Sequence, residues 1–453
     1  MPIKKALAEW DTYITHKYAN RPFHPLFIVA TEGGGIRAAY WTATVLGKLQ
    51  DGDPSFADHI FAISGVSGGS VGAAVFDALV ADGTKPGEFE RRGQEILGVD
   101  FLSPAMAAML YPDFLQRFIP FPVPYFDRGS WLEKSWEKAW RETAAKGGGK
   151  MSNRLAEPFL DLWQKKSVDY VPALFLNGTS VEVGNRLIAS NLLIDNNFLD
   201  AEDAADKLSP EKQHDERRHP QIDVPLSTAA HNSARFTYVS PAGRFDEDGT
   251  HVVDGGYFEN SGAATALDIL REVETELCRD KSGSLGVVVP RIIMISNDPL
   301  GIASGSRKMS QTKSTLREAK QHKPGTFLVD ILAPLQTLFS TREAHGSYSQ
   351  KEITLEQQNV CERVAYSIGV SGADQQGPYF FSLAPATVPL PLGWMLSNGA
   401  AKAMQDEIYD KGLSSSITNP STRIWNKAGT TRVLESLGGT ATALGNDPNL
   451  KPR

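Results

Sequence analysis

The residues best suited to chemistry are a serine and an aspartate, each delivered into a glycine-rich turn. Ser67 is the central residue of Gly65-Val66-Ser67-Gly68-Gly69, a G-x-S-x-G sequence. In this pattern a sharp strand-to-helix turn leaves room only for glycine beside the serine, and the hydroxyl is exposed at the head of the helix. The free N–H groups of that helix terminus favour developing negative charge. Ser67 is therefore a candidate nucleophile.

A second glycine turn precedes the serine motif. Gly33-Gly34-Gly35 is followed by Ile36-Arg37-Ala38, and consecutive glycines expose backbone N–H groups that bind a phosphate or an oxyanion. The same residues fit the dinucleotide fingerprint G-x-G-x-x-G/A, which calls for an acidic residue after the second strand, where this chain has Ser64-Gly65. A tight turn without a ligand is a third interpretation. An oxyanion turn beside a serine turn explains both features with one site.

A third turn carries the aspartate. The run Val252-Val253-Asp254-Gly255-Gly256 delivers Asp254 from a short β-type segment into two glycines. Asp-Gly turns are common and need no function. The position of this turn at a strand end, downstream of the other two, makes Asp254 a candidate functional residue.

The elements that would position these turns form a βαβ unit with a second helix. Apolar runs at residues 26–30 and 60–64 predict buried strands, and residues 36–49 and 70–80 predict the helices that follow the two turns. Since the carboxyl ends of parallel strands meet at one sheet edge, we expect both turns there. Further strands are predicted at 171–177, 186–193, 287–296, 363–369 and 378–383, and further helices at 6–18, 226–234, 262–277, 337–362 and 392–411.

The composition bounds the class of protein. A chain of 453 residues with 41% hydrophobic and 22% charged residues fits one elaborated α/β unit as well as several average domains. The net charge of −7 argues against nucleic acid as a partner and disfavours electrostatic binding to anionic membranes. No Cys/His cluster has the spacing of a zinc site, and no metal or cofactor is predicted.

The cysteine content and the apolar runs of the sequence also predict a localisation. The two cysteines, Cys278 and Cys361, predict a reducing compartment and no disulfide framework. The chain has no signal-peptide pattern and no apolar run of about 18 residues. We therefore expect a cytoplasmic or peripheral membrane protein, with no prediction of its oligomeric state.

Residues 101–126 interrupt the α/β rhythm with an apolar, aromatic and proline-rich segment whose only charges are Asp113 and Arg117. It is interpreted either as part of an insertion, about residues 84–165, buried against the core, or as an acyl-chain channel or interfacial lid. On the second interpretation Phe101 and Phe121 are candidate substrate contacts. Arg37 is a candidate contact for a phosphate or headgroup, with a structural salt bridge as the alternative. Residues 200–220 are expected to form a charged surface loop, 301–325 a basic solvated helix face, and the end of the chain a polar tail.

The three motifs in this order resemble the patatin-like phospholipase family. GGGIRA matches its oxyanion motif, GVSGG its serine turn and DGG its aspartate motif, within about residues 24–300. The motifs are also similar to those of the catalytic domain of calcium-dependent cytosolic phospholipases. The resemblance implies a Ser–Asp dyad without histidine, with Ser67 as nucleophile and Asp254 as base. It also implies an oxyanion hole from the backbone of Gly33, Gly34, Gly35 and Gly68. The chain departs from the family at Glu32, where many members have Asp, and at Asn260-Ser261-Gly262, where relatives often have Asn-Pro.

These inferences predict an α/β fold, a three-layer α/β/α sandwich with a central, mostly parallel sheet. The whole chain, 1–453, is expected to be one unit, with its core at about 24–300 and residues 301–453 packed on it. The predicted function is a serine acyl hydrolase acting on phospholipids or lysophospholipids, with a lipid or ester substrate and peripheral membrane contact. The alternatives are an esterase or thioesterase acting on smaller esters, and a non-catalytic lipid- or nucleotide-binding protein.

A Ser-Asp-His hydrolase is the main rival for the chemistry. After Asp254 only His322 and His345 remain, and neither follows a clear core strand. His251 lies three residues before Asp254 on the same predicted strand and is interpreted as structural. The dyad is therefore favoured over a triad.

Overall fold

A computed structural model of the chain describes residues 1–146, 153–208, 223–280, 285–297, 349–356, 378–383, 393–408 and 420–437, apart from 22, 117, 122, 124, 125, 237, 238, 246–248, 350, 354 and 355. Within these residues one nine-stranded sheet carries helices on both faces. The strands are β1 (His24–Thr31), β2 (Ile60–Val66), β3 (Ala173–Ser180), β4 (Arg186–Ser190), β5 (Ala201–Asp203), β6 (Gly243–Arg244), β7 (His251–Asp254), β8 (Val288–Ser296) and β9 (Tyr379–Ser382).

Helices cover both faces of the sheet, and two of them begin at the first two glycine turns. They are α1 (Ile3–Lys17), α2 (Gly35–Gly52), α3 (Phe56–His59), α4 (Gly68–Ala81), α5 (Phe89–Leu97), α6 (Leu102–Leu110), α7 (Pro112–Gln116), α8 (Arg128–Lys146), α9 (Asp161–Gln164), α10 (Ala204–Leu208), α11 (Leu226–Ser233), α12 (Ala263–Arg279), α13 (Asn398–Ile408) and α14 (Pro420–Ser436). None of the helices in the part of the chain described above is both long and apolar enough to cross a membrane.

The sheet is mixed and mostly parallel. Its strand order is β5-β4-β3-β2-β1-β8-β9, with β7 pairing both β3 and β6. The pairs β1–β2, β2–β3, β1–β8, β8–β9 and β4–β5 are parallel, whereas β3–β4, β3–β7 and β6–β7 are antiparallel. This architecture confirms the predicted fold class.

The two faces of the sheet belong to different hydrophobic cores. Alternate side chains of a strand point to opposite faces, so Phe27 and Val29 of β1 join the core beneath α2 and α4. Leu26 and Ile28 join the second core, with α1 and α12. Burial on both faces explains why the central strands have continuous apolar sequences instead of alternating ones.

Three expectations from the sequence are wrong. Within the predicted loop at 200–220, residues 201–208 form β5 and α10, and 209–220 lie outside the described residues. Within the predicted polar tail, residues 420–436 form α14, and 412–419 and 438–453 lie outside the described residues. Cys278, near the end of α12, is disulfide-bonded, which contradicts the expectation that the two cysteines form no disulfide framework. The basic segment 301–325, the strand at 363–369, most of the helix at 337–362 and Cys361 lie outside the described residues.

Candidate active site

Ser67 occupies a strained turn between β2 and α4. Its φ of 53° and ψ of −126° lie in a region that side-chain-bearing residues rarely adopt. Such strain persists only where the surrounding structure imposes it, as in the strand-to-helix turn that projects a nucleophilic serine. Ser67 is 6% exposed and stands at the N-terminus of α4. The backbone therefore has the form that the G-x-S-x-G sequence predicts.

The pairing along β3 brings Asp254 to Ser67. β2 runs beside β3 as far as Val66, which pairs with Asn177. Beyond this point β7 pairs with β3, and Asp254 is opposite Gly178. The chain leaves β2 at Ser67, so the aspartate lies directly beyond the strand that carries the serine.

A short hydrogen bond joins the two side chains. Ser67 Oγ donates to Asp254 Oδ2 at 2.6 Å. The Gly256 N–H donates to the other carboxylate oxygen, Oδ1, at 2.7 Å, and Asp254 is 3% exposed. The carboxylate is thus held with one oxygen toward the backbone and the other toward the serine hydroxyl.

Ser233, which the sequence analysis missed, supports the serine turn from α11. Its hydroxyl accepts from the Ser67 N–H at 3.0 Å and donates to the Asn177 carbonyl at 2.6 Å. It also shares a hydrogen bond of 2.7 Å with Ser70 Oγ. The Ser233 side chain ties the backbone of Ser67 to β3, the strand that also pairs with Asp254.

The first glycine turn lies against the serine turn. Gly34 and Gly35 have φ angles of 155° and 58°, which favour glycine. The Gly33 N–H donates to the Asn260 carbonyl at 2.8 Å, so it is already used. The Gly34 and Gly35 N–H groups donate to no acceptor within the described part of the chain, as expected where a helix begins. The predicted oxyanion set is therefore corrected by removing Gly33.

The N-termini of α2 and α4 approach closely at this point. A Cβ atom at Gly68 would clash with the carbonyl oxygen of Gly35. A Cβ atom at Gly33 would lie 2.9 Å from the Ser67 Cβ. Two helix termini, each with a partial positive charge, therefore converge beside the serine hydroxyl. Such convergence suits the stabilisation of a negative oxygen.

Two asparagines hold the first glycine turn in place. Asn260 Nδ2 and Asn297 Nδ2 donate to the Gly33 carbonyl at 3.2 Å and 2.7 Å. Glu32 Oε2 accepts from the Asn297 N–H at 2.8 Å, which gives the unusual glutamate a structural role. Asn260 belongs to the Asn-Ser-Gly sequence that departs from the family pattern, and its next residue, Ser261, accepts from the first N–H of α12 at 3.1 Å.

The predicted substrate contacts have different environments. Arg37 Nε donates to Asn297 Oδ1 at 2.8 Å, on the asparagine that holds the glycine turn. Phe101 is fully buried in the core, whereas Phe121 is 62% exposed. A side chain without accessible surface cannot touch a substrate, so Phe101 is a correction to the predicted set. The structure brings together Ser67, Asp254 and the glycine turns. Arg37 is connected to the first glycine turn through Asn297.

A buried polar network lies behind the serine turn. Asn177 Nδ2 donates to the Gly65 carbonyl at 2.8 Å, and its Oδ1 accepts from Thr265 Oγ1 at 2.6 Å. Thr265 also accepts from Arg186, which pairs with Asp268 at 2.7 Å. Burial raises the pKa of Asp268, against the opposing effect of the Arg186 charge. The network links β2, β3, β4 and α12 beneath the dyad.

The histidines near these elements have other partners. His251 pairs with Glu182 at 2.8 Å, and the buried His231 hydrogen bonds to Glu133 and Ser240, each at 2.7 Å. His322 and His345 lie outside the described residues. In the ranges that the structure covers, no three His, Cys, Asp or Glu side chains are grouped so as to hold a metal ion.

A cavity of about 410 Å³ lies at the amino ends of β2 and β3, whereas Ser67 follows the carboxyl end of β2. It is lined by Trp10 and Tyr13 of α1, by Trp163 and Tyr170, and by Phe61 near the start of β2. The cavity therefore lies away from Ser67 and Asp254.

Comparison with known proteins identifies the family. The model of the patatin-like phospholipase family matches residues 29–267, which contain all three glycine turns. Among solved structures, the chain is similar to VipD from Legionella pneumophila with 10% identity and a TM-score of 0.32, covering 92% of this chain and 67% of that one. No curated protein matches.

The chain belongs to the patatin-like phospholipase family, since the matched region is more than half of its length. This is a family of lipid acyl hydrolases, so the chain is a hydrolytic enzyme that acts on lipids.

Proposed function

We propose that the protein hydrolyses fatty-acyl ester bonds of phospholipids or lysophospholipids with a Ser67–Asp254 dyad. The observation that carries the proposal is the 2.6 Å hydrogen bond from Ser67 Oγ to Asp254 Oδ2 at a strained strand-to-helix turn. Membership of a lipid acyl hydrolase family supports the reaction class. The described geometry supports the assignment of the two roles.

The first half of the reaction forms an acyl-enzyme. Ser67 Oγ attacks the ester carbonyl while Asp254 Oδ2 takes its proton along the existing hydrogen bond. The Gly256 N–H holds Asp254 Oδ1, so the carboxylate keeps its orientation during the transfer. The carbonyl oxygen becomes an oxyanion, which the N–H groups of Gly34, Gly35 and Gly68 stabilise. The proton on Asp254 then passes to the departing alcohol.

The second half releases the fatty acid. Water attacks the acyl-enzyme carbonyl and gives its proton to Asp254, and the same N–H groups stabilise the second oxyanion. The proton returns to Ser67 Oγ as the carboxylic acid leaves. Free aspartate has a pKa of about 3.9 and is a weak base, so oxyanion stabilisation must supply much of the acceleration. Loss of one such donor costs about 100- to 1000-fold in other enzymes.

Acyl release from phosphatidylcholine, lysophosphatidylcholine and nitrophenyl esters of increasing chain length tests this function. We expect Ser67→Ala and Asp254→Asn each to abolish release from lipid. Ser55→Ala and Asp203→Asn are matched controls, since both residues are buried. Asp203 also accepts backbone N–H groups, as Asp254 does. Both controls should retain activity.

Each other outcome selects an alternative. Turnover of short esters without phospholipid would assign an esterase with the same dyad. Full activity of Ser67→Ala would refute the mechanism. Loss of activity in His251→Ala, whose side chain pairs with Glu182, would revive a histidine-dependent mechanism. A folded protein inactive on all substrates would point to a missing activator or to the binding-protein alternative.

The role of the Arg37 side chain can be determined by comparing the kinetics on two substrates. If it contacts the phosphate, Arg37→Ala raises KM for phosphatidylcholine and leaves short-ester kinetics unchanged. If it acts through Asn297, to which it donates at 2.8 Å, kcat falls equally on both substrates.

A further inference from the structure

Residues 102–126, here called the apolar arm, expose an unusual run of large apolar side chains. Among the residues of the arm that the structure describes, six large apolar side chains are each more than half accessible: Leu110, Tyr111, Phe114, Leu115, Phe118 and Phe121. The opposite face of α6, through Ala105 and Ala108, is buried, and α6 packs on α8. The arm is therefore anchored to the protein by small residues and presents its large ones outward. An exposed apolar cluster of this kind marks an interaction surface.

The arm carries no net charge. Asp113 and Arg117 are the only charged residues in the sequence of 102–126. Asp113 is paired with Arg128, at the start of α8, at 2.7 Å. The surface thus lacks the basic cluster that binds anionic lipids. Its aromatic side chains, including the edge-on pair Phe114–Phe118 with ring centroids 5.4 Å apart, suit the apolar side of a lipid headgroup layer.

One end of the arm is tied to the first glycine turn. The N–H of Phe101, which precedes the arm, donates to the Trp394 carbonyl at 3.0 Å. The carbonyl of the adjacent Gly393 accepts from the Ile36 N–H, in the first turn of α2, also at 3.0 Å. Two neighbouring carbonyls therefore connect the arm to the turn that carries Gly34 and Gly35.

The other end is tied to the segment before Asp254. Arg128 Nε donates to the Val239 carbonyl at 3.1 Å. A few residues earlier, the Arg235 carbonyl accepts from the Asp254 N–H at 3.1 Å. The arm is thus fastened on one side to the proposed oxyanion turn and on the other to the strand of the proposed base.

We infer that the apolar arm is a docking surface for a zwitterionic phospholipid layer, which it holds beside the Ser67 turn. The inference rests on the proposed function, because it names the physical form in which the substrate is met. Ser67 is almost buried, at 6% exposure, so an acyl ester must leave its layer close to the turn. A surface fastened on both sides of the site supplies that proximity. Membrane affinity comes from burial of the exposed rings and leucines.

Vesicle co-sedimentation with phosphatidylcholine, with the full chain carrying Ser67→Ala to prevent hydrolysis, measures the docking alone. The test variant adds Leu110→Ser, Phe114→Ser and Phe118→Ser, and the control adds Val183→Ser and Leu199→Ser at positions 69% and 61% exposed. We expect the partition coefficient of the test variant to fall by at least about tenfold, because three apolar side chains that would enter the lipid on docking are lost. The partition coefficient of the control should stay unchanged. With Ser67 intact, the test variant should hydrolyse a soluble short-chain ester at the rate of the unsubstituted protein.

Four outcomes would overturn the inference. The Ser67→Ala chain could fail to bind phosphatidylcholine, or the triple variant could bind as well as the control. Binding could require anionic lipid and disappear in salt. The triple substitution could convert a dimer into a monomer in solution, which would assign the arm to a second copy of the chain. Vesicle binding by a protein that hydrolyses no ester would support the docking surface and refute the proposed function, so the two failures are distinguishable.

Discussion

Val66 and Asp254 occupy neighbouring positions along one edge of β3. Val66 pairs with Asn177, and Asp254 is opposite the next residue, Gly178. The serine leaves the sheet directly after Val66, and the aspartate ends a strand that approaches from the opposite direction. A single strand therefore aligns both members of the proposed dyad. Because a register shift of one residue would turn Asp254 to the other face of the sheet, the pairing of β7 with β3 fixes the position of the proposed base.

Ser233→Ala should impair catalysis without changing the fold. The substitution removes the acceptor of the Ser67 N–H at 3.0 Å, and an unsatisfied buried donor costs about 1–3 kcal/mol. We expect kcat for a short ester to fall about tenfold or more with little change in KM. Ser382→Ala is the control, since Ser382 is also buried but its hydroxyl has no partner among the described residues. Equal kcat values for the two variants would contradict the role of Ser233.

Gly68→Ala should separate the two helix termini. The added methyl group would meet the Gly35 carbonyl oxygen, so α4 or the first glycine turn must move. Overpacking of this kind costs about 1–3 kcal/mol of stability, and displacement of oxyanion donors costs about 100-fold or more in kcat. Urea denaturation and ester kinetics check both effects. Gly399→Ala lies within α13, where the nearest atom to the added methyl group is Ser397 Oγ at 4.0 Å, so it should be neutral or slightly stabilising. If it were as harmful as Gly68→Ala, the explanation would fail.

Asn297→Ala should loosen the proposed oxyanion turn. Asn297 donates to the Gly33 carbonyl at 2.7 Å and accepts from Arg37 at 2.8 Å. Its loss removes both contacts, and we expect kcat to fall by about 10- to 100-fold. Asn191→Ala is a matched control, because Asn191 Oδ1 accepts from the Leu174 N–H near the start of β3, away from the site. A parallel loss of stability without a difference in kcat between the two variants would show that Asn297 only supports the fold.

The serine turn was predictable because its requirements are local. The spacing of glycines in Gly65-Val66-Ser67-Gly68-Gly69 reflects the space available at one turn, and the flanking strand and helix have their own apolar patterns. The supporting residues follow no such pattern. Ser233 contacts Ser67 across 166 residues of chain, and Asn297 contacts Gly33 across 264. A single polar residue at such a distance is indistinguishable in sequence from any other serine or asparagine.

The composition of a segment also did not predict which of its side chains are buried. Phe101 and Phe121 belong to the same apolar run, yet one is completely buried and the other 62% exposed. The reason is the fold around them, since Phe101 lies in the core with Trp136 while the arm beyond it faces outward. Likewise α14 has a polar composition, but Val433 and Leu434 pack on the protein and Leu434 lies against Gly52 of α2. Tertiary packing stabilises helices that intrinsic propensity alone would not.

The raised pKa of the Glu274 carboxyl leads to a prediction of how stability depends on pH. Burial in α12, reinforced by Glu356 and opposed by Arg271, raises the pKa of Glu274 to about 8 from an ordinary value of 4.5. Between these values the folded protein holds a proton that the unfolded chain has lost, so the stabilisation is complete below pH 4.5 and declines as pH rises to about 8. We expect the free energy of unfolding to fall by on the order of a few kcal/mol across this window. Glu274→Gln should flatten the slope in urea titrations at a series of pH values, whereas Glu276→Gln, on the same helix and paired with Lys4, should keep it. An unchanged slope in Glu274→Gln would mean that the carboxyl is ionised in the folded protein.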